Sequence, residues 1–294
     1  MRRKNAMDVQ SIKKVGVIGC GTMGAGIAVC CLRAGYQVIG LEVTDTLLKK
    51  GISTIRKIAM ETDKTADHPV PAMEPELLDT LLTGTTSYEA FADCDVVIEV
   101  APEKLELKRT IMQQVEAVVQ QDTLICTNTS SLPIIDIAAA LKSPDRLVGL
   151  HFCYPAQTML LVELISSIQT SKEDEELAYS FGKTLGKTLI RAKDYPGFII
   201  NYLQYPFRLN AIRMVERGMA SPADIDTAAR LGLGHPYGPL EFQDIVGLDV
   251  TYNACTAIYE ATKDPLFNPP VLMKQMVVSN MLGRKTGKGL YTYK

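Results

Sequence analysis

A short apolar run that passes directly into three spaced glycines and then into a small-residue helix constrains this sequence more than any other feature. The stretch is Lys13-Lys-Val-Gly-Val-Ile-Gly19-Cys-Gly21-Thr-Met-Gly24, followed by Ala25-Gly-Ile-Ala28. Each glycine answers a separate need. Gly19 permits a tight turn, Gly21 lets a bound group approach the backbone, and Gly24 allows the helix to pack closely on the strand. The helix start then offers N–H groups and the positive end of its dipole to an anion, as a pyrophosphate requires. Thr22 and Met23 begin that helix and join the expected cofactor contacts. A second apolar run, 37–41, ends at Glu42, 18 residues beyond Gly24, where an acid meets the ribose 2′-hydroxyl of a dinucleotide. A carboxylate there repels a 2′-phosphate, and no Arg follows in Val43-Thr44, so NAD(H) is expected and not NADP(H).

The rest of the chain supports the same architecture. Apolar β-type runs at 15–18, 37–41, 95–99, 123–126, 146–150 and 161–165 alternate with helical patterns at 23–34, 46–61, 103–119 and 173–185. Continuous apolar strands between helices imply βαβ units and a mostly parallel sheet covered on both faces. After Pro196 the strand signal fades, and 199–217, 222–231, 239–260 and 271–281 read as helices, the first kinked at Pro206. The expected fold is therefore α/β: a Rossmann-type, doubly wound, mostly parallel sheet over 1–195, and an all-α C-terminal domain over 196–294. At 294 residues the chain is long enough for two such cores.

Composition narrows the partners. Thirty-one Lys and Arg against 33 Asp and Glu leave a net charge of −2, which gives no basic face for bulk binding to nucleic acid or anionic membrane. No apolar run is long enough to cross a bilayer, and the apolar stretch 15–32 after a basic start is better explained by the strand, turn and helix above than by a leader. The seven cysteines fall in no C-x-x-C pair, which points to reduced core thiols in the cytoplasm and to no metal site. Cys153 is a nucleophile only in principle, and packing explains it better.

Only three histidines are available for proton transfer near neutral pH. His68 lies in a Pro-rich acidic loop and His235 in the turn Gly234-His-Pro-Tyr-Gly238, where turn chemistry suffices. His151 follows the run ending Val148-Gly-Leu150, at the carboxyl end of a strand, where open α/β sheets place their ligands. A lone histidine beside Phe152 and Tyr154 is ordinarily packed and satisfied. This one has company: Glu163 sits inside the apolar run Leu161-Val-Glu-Leu-Ile165, where a carboxylate is costly to bury without a partner. A His–Glu pair fixes the tautomer and raises basicity, as the proton acceptor of a hydride-transferring dehydrogenase requires. Ser130, in Asn128-Thr-Ser130-Ser131-Leu-Pro133, suits either a donor to the same oxygen or a helix cap. Asn128, at the same strand end, is expected near the cofactor.

The segments GCGTMGAGIA, VIEVAPEKLELK, TNTSSL, GLHFCYP, LVELI, YPGFIIN, DIDTAARLGLGHPYGPLEFQDIVGLD and LGRKTGKGLYTYK run in order over nearly the whole chain. Together they resemble the L-3-hydroxyacyl-CoA / 3-hydroxybutyryl-CoA dehydrogenase family. That resemblance implies a Rossmann domain, a helical domain that builds a homodimer, and reversible oxidation of a 3-hydroxyacyl thioester by NAD. It implies His151 as the base, Glu163 as its orienting partner, and Ser130 and Asn201 as hydrogen-bonding groups on the reacting oxygen. The cofactor positions it carries over are Gly19, Gly21, Gly24, Glu42, Glu103 and Lys108.

Three departures from the family pattern stand out. Tyr154 replaces a common Asn, Tyr202 replaces a common Arg after Asn201, and the segment 61–76 is acidic and Pro-broken where a lysine-rich helical pair is usual. Lys49, Lys50, Arg56, Lys57 and Lys64 are the phosphate candidates left, with Lys57 and Lys64 expected at the substrate. Either this segment is a drifting surface loop, or the acyl carrier is not CoA or CoA binds weakly. A short-chain 3-hydroxyacyl-CoA is the expected substrate, with a free hydroxy acid, a carrier-protein thioester, or a catalytically quiet NAD-binding protein as the competing readings. The basic tail 284–288 reads as a solvated loop in preference to a phosphate contact.

Overall fold

The computed structural model describes residues 8–62 and 71–293. It divides into two compact units, Met1–Tyr195 and Pro196–Lys294. In the first, β1 (Lys14–Ile18), α1 (Thr22–Arg33), β2 (Gln37–Leu41), α2 (Asp45–Met60), α3 (Pro75–Leu81) and β3 (Leu82–Thr85) come first. Next follow β4 (Val96–Glu99), α4 (Leu105–Val118), β5 (Leu124–Thr127) and α5 (Ile134–Ala138). The unit ends with β6 (Leu147–Phe152), β7 (Leu161–Ser166), α6 (Lys172–Thr184) and β8 (Thr188–Lys193).

Among the described residues these strands form one eight-stranded sheet in the order β3-β2-β1-β4-β5-β6-β7-β8. The order reverses at β1, between β2 and β4, which is the switch point where open α/β sheets bind ligands. Every neighbouring pair is parallel except β6 and β7, which the short connection 153–160 allows to run antiparallel. The central strands are apolar and buried on both faces, as in Val15, Val17, Val38, Val96 and Ile98. The expected α/β class is what the structure has. Two edge strands, β3 and β8, escape the sequence reading. β8 alternates buried and exposed positions, and only one residue of β3 is buried, so neither carries the continuous apolar signal of an inner strand.

The second unit is helical: α7 (Ile200–Glu216), α8 (Pro222–Thr227), α9 (Pro239–Val246), α10 (Leu248–Thr262) and α11 (Val271–Val278). Its core gathers Leu209, Ile212, Leu240, Leu248, Cys255, Ile258, Phe267 and Met273. α7 continues on both sides of Pro206. The single helix expected over 239–260 is two, because Gly247 takes φ +101°, outside the helical range of an L-residue. Residues 228–232 form a π-helical turn after α8.

Candidate active site

The glycine turn lies between β1 and α1 at the sheet's switch point. Gly19 takes φ +88°, and a Cβ on Gly24 would stand 1.7 Å from the Gly19 carbonyl oxygen, so both positions exclude a side chain. Gly21 differs: nothing lies within 4 Å of where its Cβ would be. It is also the N-cap of α1 and offers no side chain to the first-turn N–H groups at Thr22, Met23 and Gly24. This open backbone at a helix start fits a pyrophosphate. Glu42 closes the turn from below, its Oε1 accepting the Cys20 N–H at 2.7 Å. A cleft of ≈ 360 Å³ bounded by Gly21, Thr22, Glu42, Lys50 and Tyr154 opens above it. The half-buried Glu42 carboxylate therefore faces space where a ribose hydroxyl fits and a second phosphate would be repelled.

The antiparallel register of β6 and β7 sets His151 directly opposite Glu163. His151 Nδ1 and Glu163 Oε2 are 2.6 Å apart, with Glu163 fully buried and His151 nearly so. An ionised carboxylate only accepts, so Nδ1 carries the proton and Nε2 is the ring nitrogen that can take another. Phe152, the next residue, donates its N–H to Asn128 Oδ1 at 2.8 Å, which fixes the strand end that carries His151. Asn128, expected beside the cofactor, spends its carboxamide oxygen on this structural bond.

Ser130 lies on the turn after β5, and Glu103 organises that turn. Glu103 Oε1 accepts from the hydroxyls of Thr129 at 2.6 Å and Ser131 at 3.0 Å, and from the N–H groups of Ser130 and Ser131, each at 2.9 Å. The Ser130 hydroxyl stands 3.4 Å from the same oxygen. Burial works to raise the Glu103 pKa, but Lys108 and these hydrogen bonds outweigh it and hold the carboxyl below its ordinary value. Ser130 is not a helix cap. α5 begins after Pro133, and its first N–H groups, from Ile134 and Ile135, go to the Asp194 carboxylate at 2.8 Å each.

Lys108 lies inside the fold. Expected at the cofactor, it is 1% exposed, with Nζ 2.7 Å from Glu99 Oε1, 3.0 Å from the Ala101 carbonyl oxygen and 3.5 Å from Glu103 Oε2. Lys108 thus ties the Glu99 carboxylate and the Ala101 carbonyl to the Glu103 side chain. Its fully buried partner Glu99 also accepts from Thr127 Oγ1 and Ala101 N, both at 2.6 Å, and was missed in the sequence. The signal was present: an acid ending the apolar run Val96-Val-Ile-Glu99 must find a cation if it is buried.

The remaining candidates fall on both units. Lys57 is exposed on the last turn of α2, and Lys64 and His68 fall outside the described residues. Arg56 pairs with Asp79. Burial, then Glu163, push the Cys153 thiol up to about 11, so it is protonated and unreactive at neutral pH. In the second unit, Asn201 is buried on the first turn of α7, its Oδ1 accepting from Gln204 Nε2 at 2.6 Å. Tyr202 packs its ring on Phe267 and donates its hydroxyl to Asp264 Oδ2 at 3.2 Å. His235 stacks on Phe207. The basic tail is exposed, as expected, and forms surface ion pairs: Arg284 reaches Glu241 at 3.3 Å and Lys285 reaches Asp249 at 2.5 Å.

Comparison with known proteins accounts for both units. Residues 14–195 match the NAD binding domain of 3-hydroxyacyl-CoA dehydrogenase, and residues 197–293 match its C-terminal domain. A mitochondrial hydroxyacyl-coenzyme A dehydrogenase of Rattus norvegicus is 42% identical over 289 residues, covering 96% of this chain and 92% of that protein. A 3-hydroxybutyryl-CoA dehydrogenase of Mycobacterium tuberculosis is 40% identical over 285 residues, covering 96% and 99%. The crystal structure of (S)-3-hydroxybutyryl-CoA dehydrogenase from Ralstonia eutropha superposes with a TM-score of 0.87 at 35% identity, covering 97% of this chain and 100% of that one. With both units matched and an open glycine turn suited to the dinucleotide, the chain belongs to the 3-hydroxyacyl-CoA dehydrogenase family, oxidoreductases whose cofactor is NAD.

Proposed function

We propose that this protein interconverts (3S)-3-hydroxyacyl-CoA and 3-ketoacyl-CoA, on short acyl chains of 3-hydroxybutyryl size, with His151 as general acid and base. One observation carries the reading: the buried His151–Glu163 pair at 2.6 Å, set by strand register at the carboxyl end of β6. In oxidation, His151 Nε2 accepts the C3 hydroxyl proton, and the adjacent Glu163 carboxylate stabilises the imidazolium that forms. NAD, when bound, supplies the hydride acceptor. In reduction, His151 returns the proton. Ser130 and Asn201 donate hydrogen bonds to the reacting oxygen as negative charge develops on it. The acyl-chain length is supported by relatives named 3-hydroxybutyryl-CoA dehydrogenase that match nearly end to end.

The test follows NADH absorbance with acetoacetyl-CoA and then with free acetoacetate. Turnover with the thioester and little with the acid is the expected result. Turnover with the acid alone moves the substrate to a free hydroxy acid, and none with either, despite NADH binding, overturns the enzymatic reading.

For assembly we propose a homodimer through the helical unit. Leu203 on α7, Leu231 and Leu233 after α8, and Val278 on α11 are 66–84% exposed, an apolar cost that a second copy would remove. Sedimentation at twice the 32.2 kDa chain mass is the expected outcome. A reducing, cytoplasmic setting suits the seven unbridged cysteines.

A further inference from the structure

We propose that Arg208 and Gln204 fix the polarity of the Asn201 carboxamide, so that its amino group, and not its oxygen, is presented to the reacting oxygen of the substrate. The inference rests on the reading of Asn201 as a hydrogen-bond donor given above.

Asn201, Gln204 and Arg208 are spaced i, i+3 and i+7 on α7, which puts them along one face of the helix. The side chains form a string. Arg208 Nη2 donates to Gln204 Oε1, and Gln204 Nε2 donates to Asn201 Oδ1 at 2.6 Å. The far end is anchored. Arg208 Nη1 lies 3.4 Å from Gln243 Oε1, which also accepts from Thr251 Oγ1 at 3.1 Å, and the guanidinium lies over the Phe242 ring at 4.2 Å. Burial lowers the Arg208 pKa only to about 10, so the group stays charged at neutral pH.

The chemistry of the donors sets the direction of the string. A carboxamide can stand either way round, with oxygen and nitrogen exchanged at almost no steric cost. A guanidinium has five donors and no acceptor. Gln204 must therefore turn its oxygen toward Arg208, which turns its amino group toward Asn201. Asn201 must answer with its oxygen, and the covalent geometry of the amide then points Nδ2–H to the other side. A donor there stabilises a developing oxyanion, whereas an acceptor there would repel it. Arg208 and Gln204 are positioning residues: they act only through Asn201.

The experiment compares Gln204→Glu with Gln204→Leu. Glutamate is nearly isosteric with glutamine but only accepts. With one oxygen held by Arg208, it draws the Asn201 amino group toward itself and leaves the carboxamide oxygen facing the substrate. The expected result is a loss of kcat of about 10²-fold in Gln204→Glu, similar to Asn201→Ala, with KM for substrate and affinity for NADH little changed. Gln204→Leu removes the constraint without inverting it, and loses less than about tenfold. In the Asn201→Ala background, Gln204→Glu adds no further loss. A second pair of variants keeps the test open should Gln204→Glu fail to fold: Arg208→Lys keeps a donor and stays within a few-fold of the parent, whereas Arg208→Met falls to the level of Gln204→Leu. The proposal is overturned if Asn201→Ala is impaired but Gln204→Glu is no worse than Gln204→Leu, or if Arg208→Lys and Arg208→Met are alike. If Asn201→Ala itself retains full kcat, the donor role of Asn201 fails instead, and the inference falls with it.

Discussion

Buried carboxylates serve opposite ends in the two units. In the sheet unit, Glu99 faces the Lys108 ammonium at 2.7 Å and Glu163 faces the His151 imidazole at 2.6 Å, so each meets a partner that can carry charge. In the helical unit, Asp226 and Asp244 are as deeply buried but, among the described residues, bond neutral donors. Asp226 accepts from the N–H groups of Leu240 and Glu241 at the start of α9 and from the Tyr291 hydroxyl at 2.6 Å. Asp244 accepts from the N–H groups of Leu290 and Tyr291, each at 2.9 Å, and from the Tyr293 hydroxyl at 3.0 Å. Burial, then Asp244, push the Tyr293 phenol up to about 12, so it stays a donor across the working pH range. The second arrangement is a clasp that holds the chain's last strand-like segment on α9. The first sets each carboxylate against a nitrogen group able to hold positive charge.

The comparison breaks most visibly at the His–Glu pair. His151→Ala should lower kcat by about 10²–10⁴-fold, the range for removing a general base, while NADH affinity measured by fluorescence stays near the parent value. Glu163→Gln keeps a hydrogen bond to Nδ1 but removes the charge that supports the imidazolium, and should cost about 10²-fold in kcat. Full turnover in either variant would leave this buried carboxylate no different in kind from Asp244.

Asp244→Asn is the corresponding break in the helical unit. One amide oxygen cannot serve two backbone N–H groups and a phenol, and the new NH₂ would face a donor. The expected loss is about 2–3 kcal/mol, read as a fall in thermal midpoint of about 5 °C or more by calorimetry. NADH affinity, which belongs to the sheet unit, should not move. A midpoint within a degree of the parent would show that the clasp contributes little.

The same contrast explains what was legible in the sequence. Inner strands such as Val15–Ile18 could be read because burial on both faces writes a continuous apolar run, and the His151–Glu163 pairing could be suspected because an acid inside Leu161–Ile165 had to be answered. Their meeting depends on register, which no local pattern states, and the structure supplies it. The inward partners of Lys108 could not be read because residue type gives charge but not direction. Its side chain turns inward to Glu99. The partners of the tail could not be read for a different reason. Arg284 and Lys285 are exposed beside their glycines, as their sequence suggests, but a Cβ on Gly289 would meet Asp244 Oδ1 at 2.2 Å, a contact 45 residues distant in sequence. Short-range pattern cannot report that kind of closure.

Glu103 lies between the two kinds of carboxylate, with hydroxyl and N–H donors on one oxygen and Lys108 at 3.5 Å from the other. Its pKa is lower in the folded chain than in the unfolded one. Its contribution to stability is therefore complete above the ordinary glutamate range, and is lost as pH falls through the folded value. Glu103→Gln should flatten the acid side of the stability curve below about pH 4.5 and lower kcat by loosening the turn that carries Ser130. An unchanged acid limb in urea titrations at stepped pH would place Glu103 with the solvated carboxylates.

The smallest effect is expected at Cys153, two residues beyond His151. A thiol pushed up to about 11 has almost no thiolate at neutral pH, and the thiolate is the nucleophile. Burial is the first cause of that shift and the neighbouring Glu163 charge the second, so the buried carboxylate that supports His151 also keeps this sulfur inert. Cys153→Ser should change kcat by less than about twofold, and iodoacetamide at neutral pH should label the folded protein slowly. In Glu163→Gln, with the carboxylate charge gone, labelling of Cys153 should quicken. Equal labelling rates in the parent and in Glu163→Gln would mean that burial alone sets the thiol, and that the influence of Glu163 stops at His151.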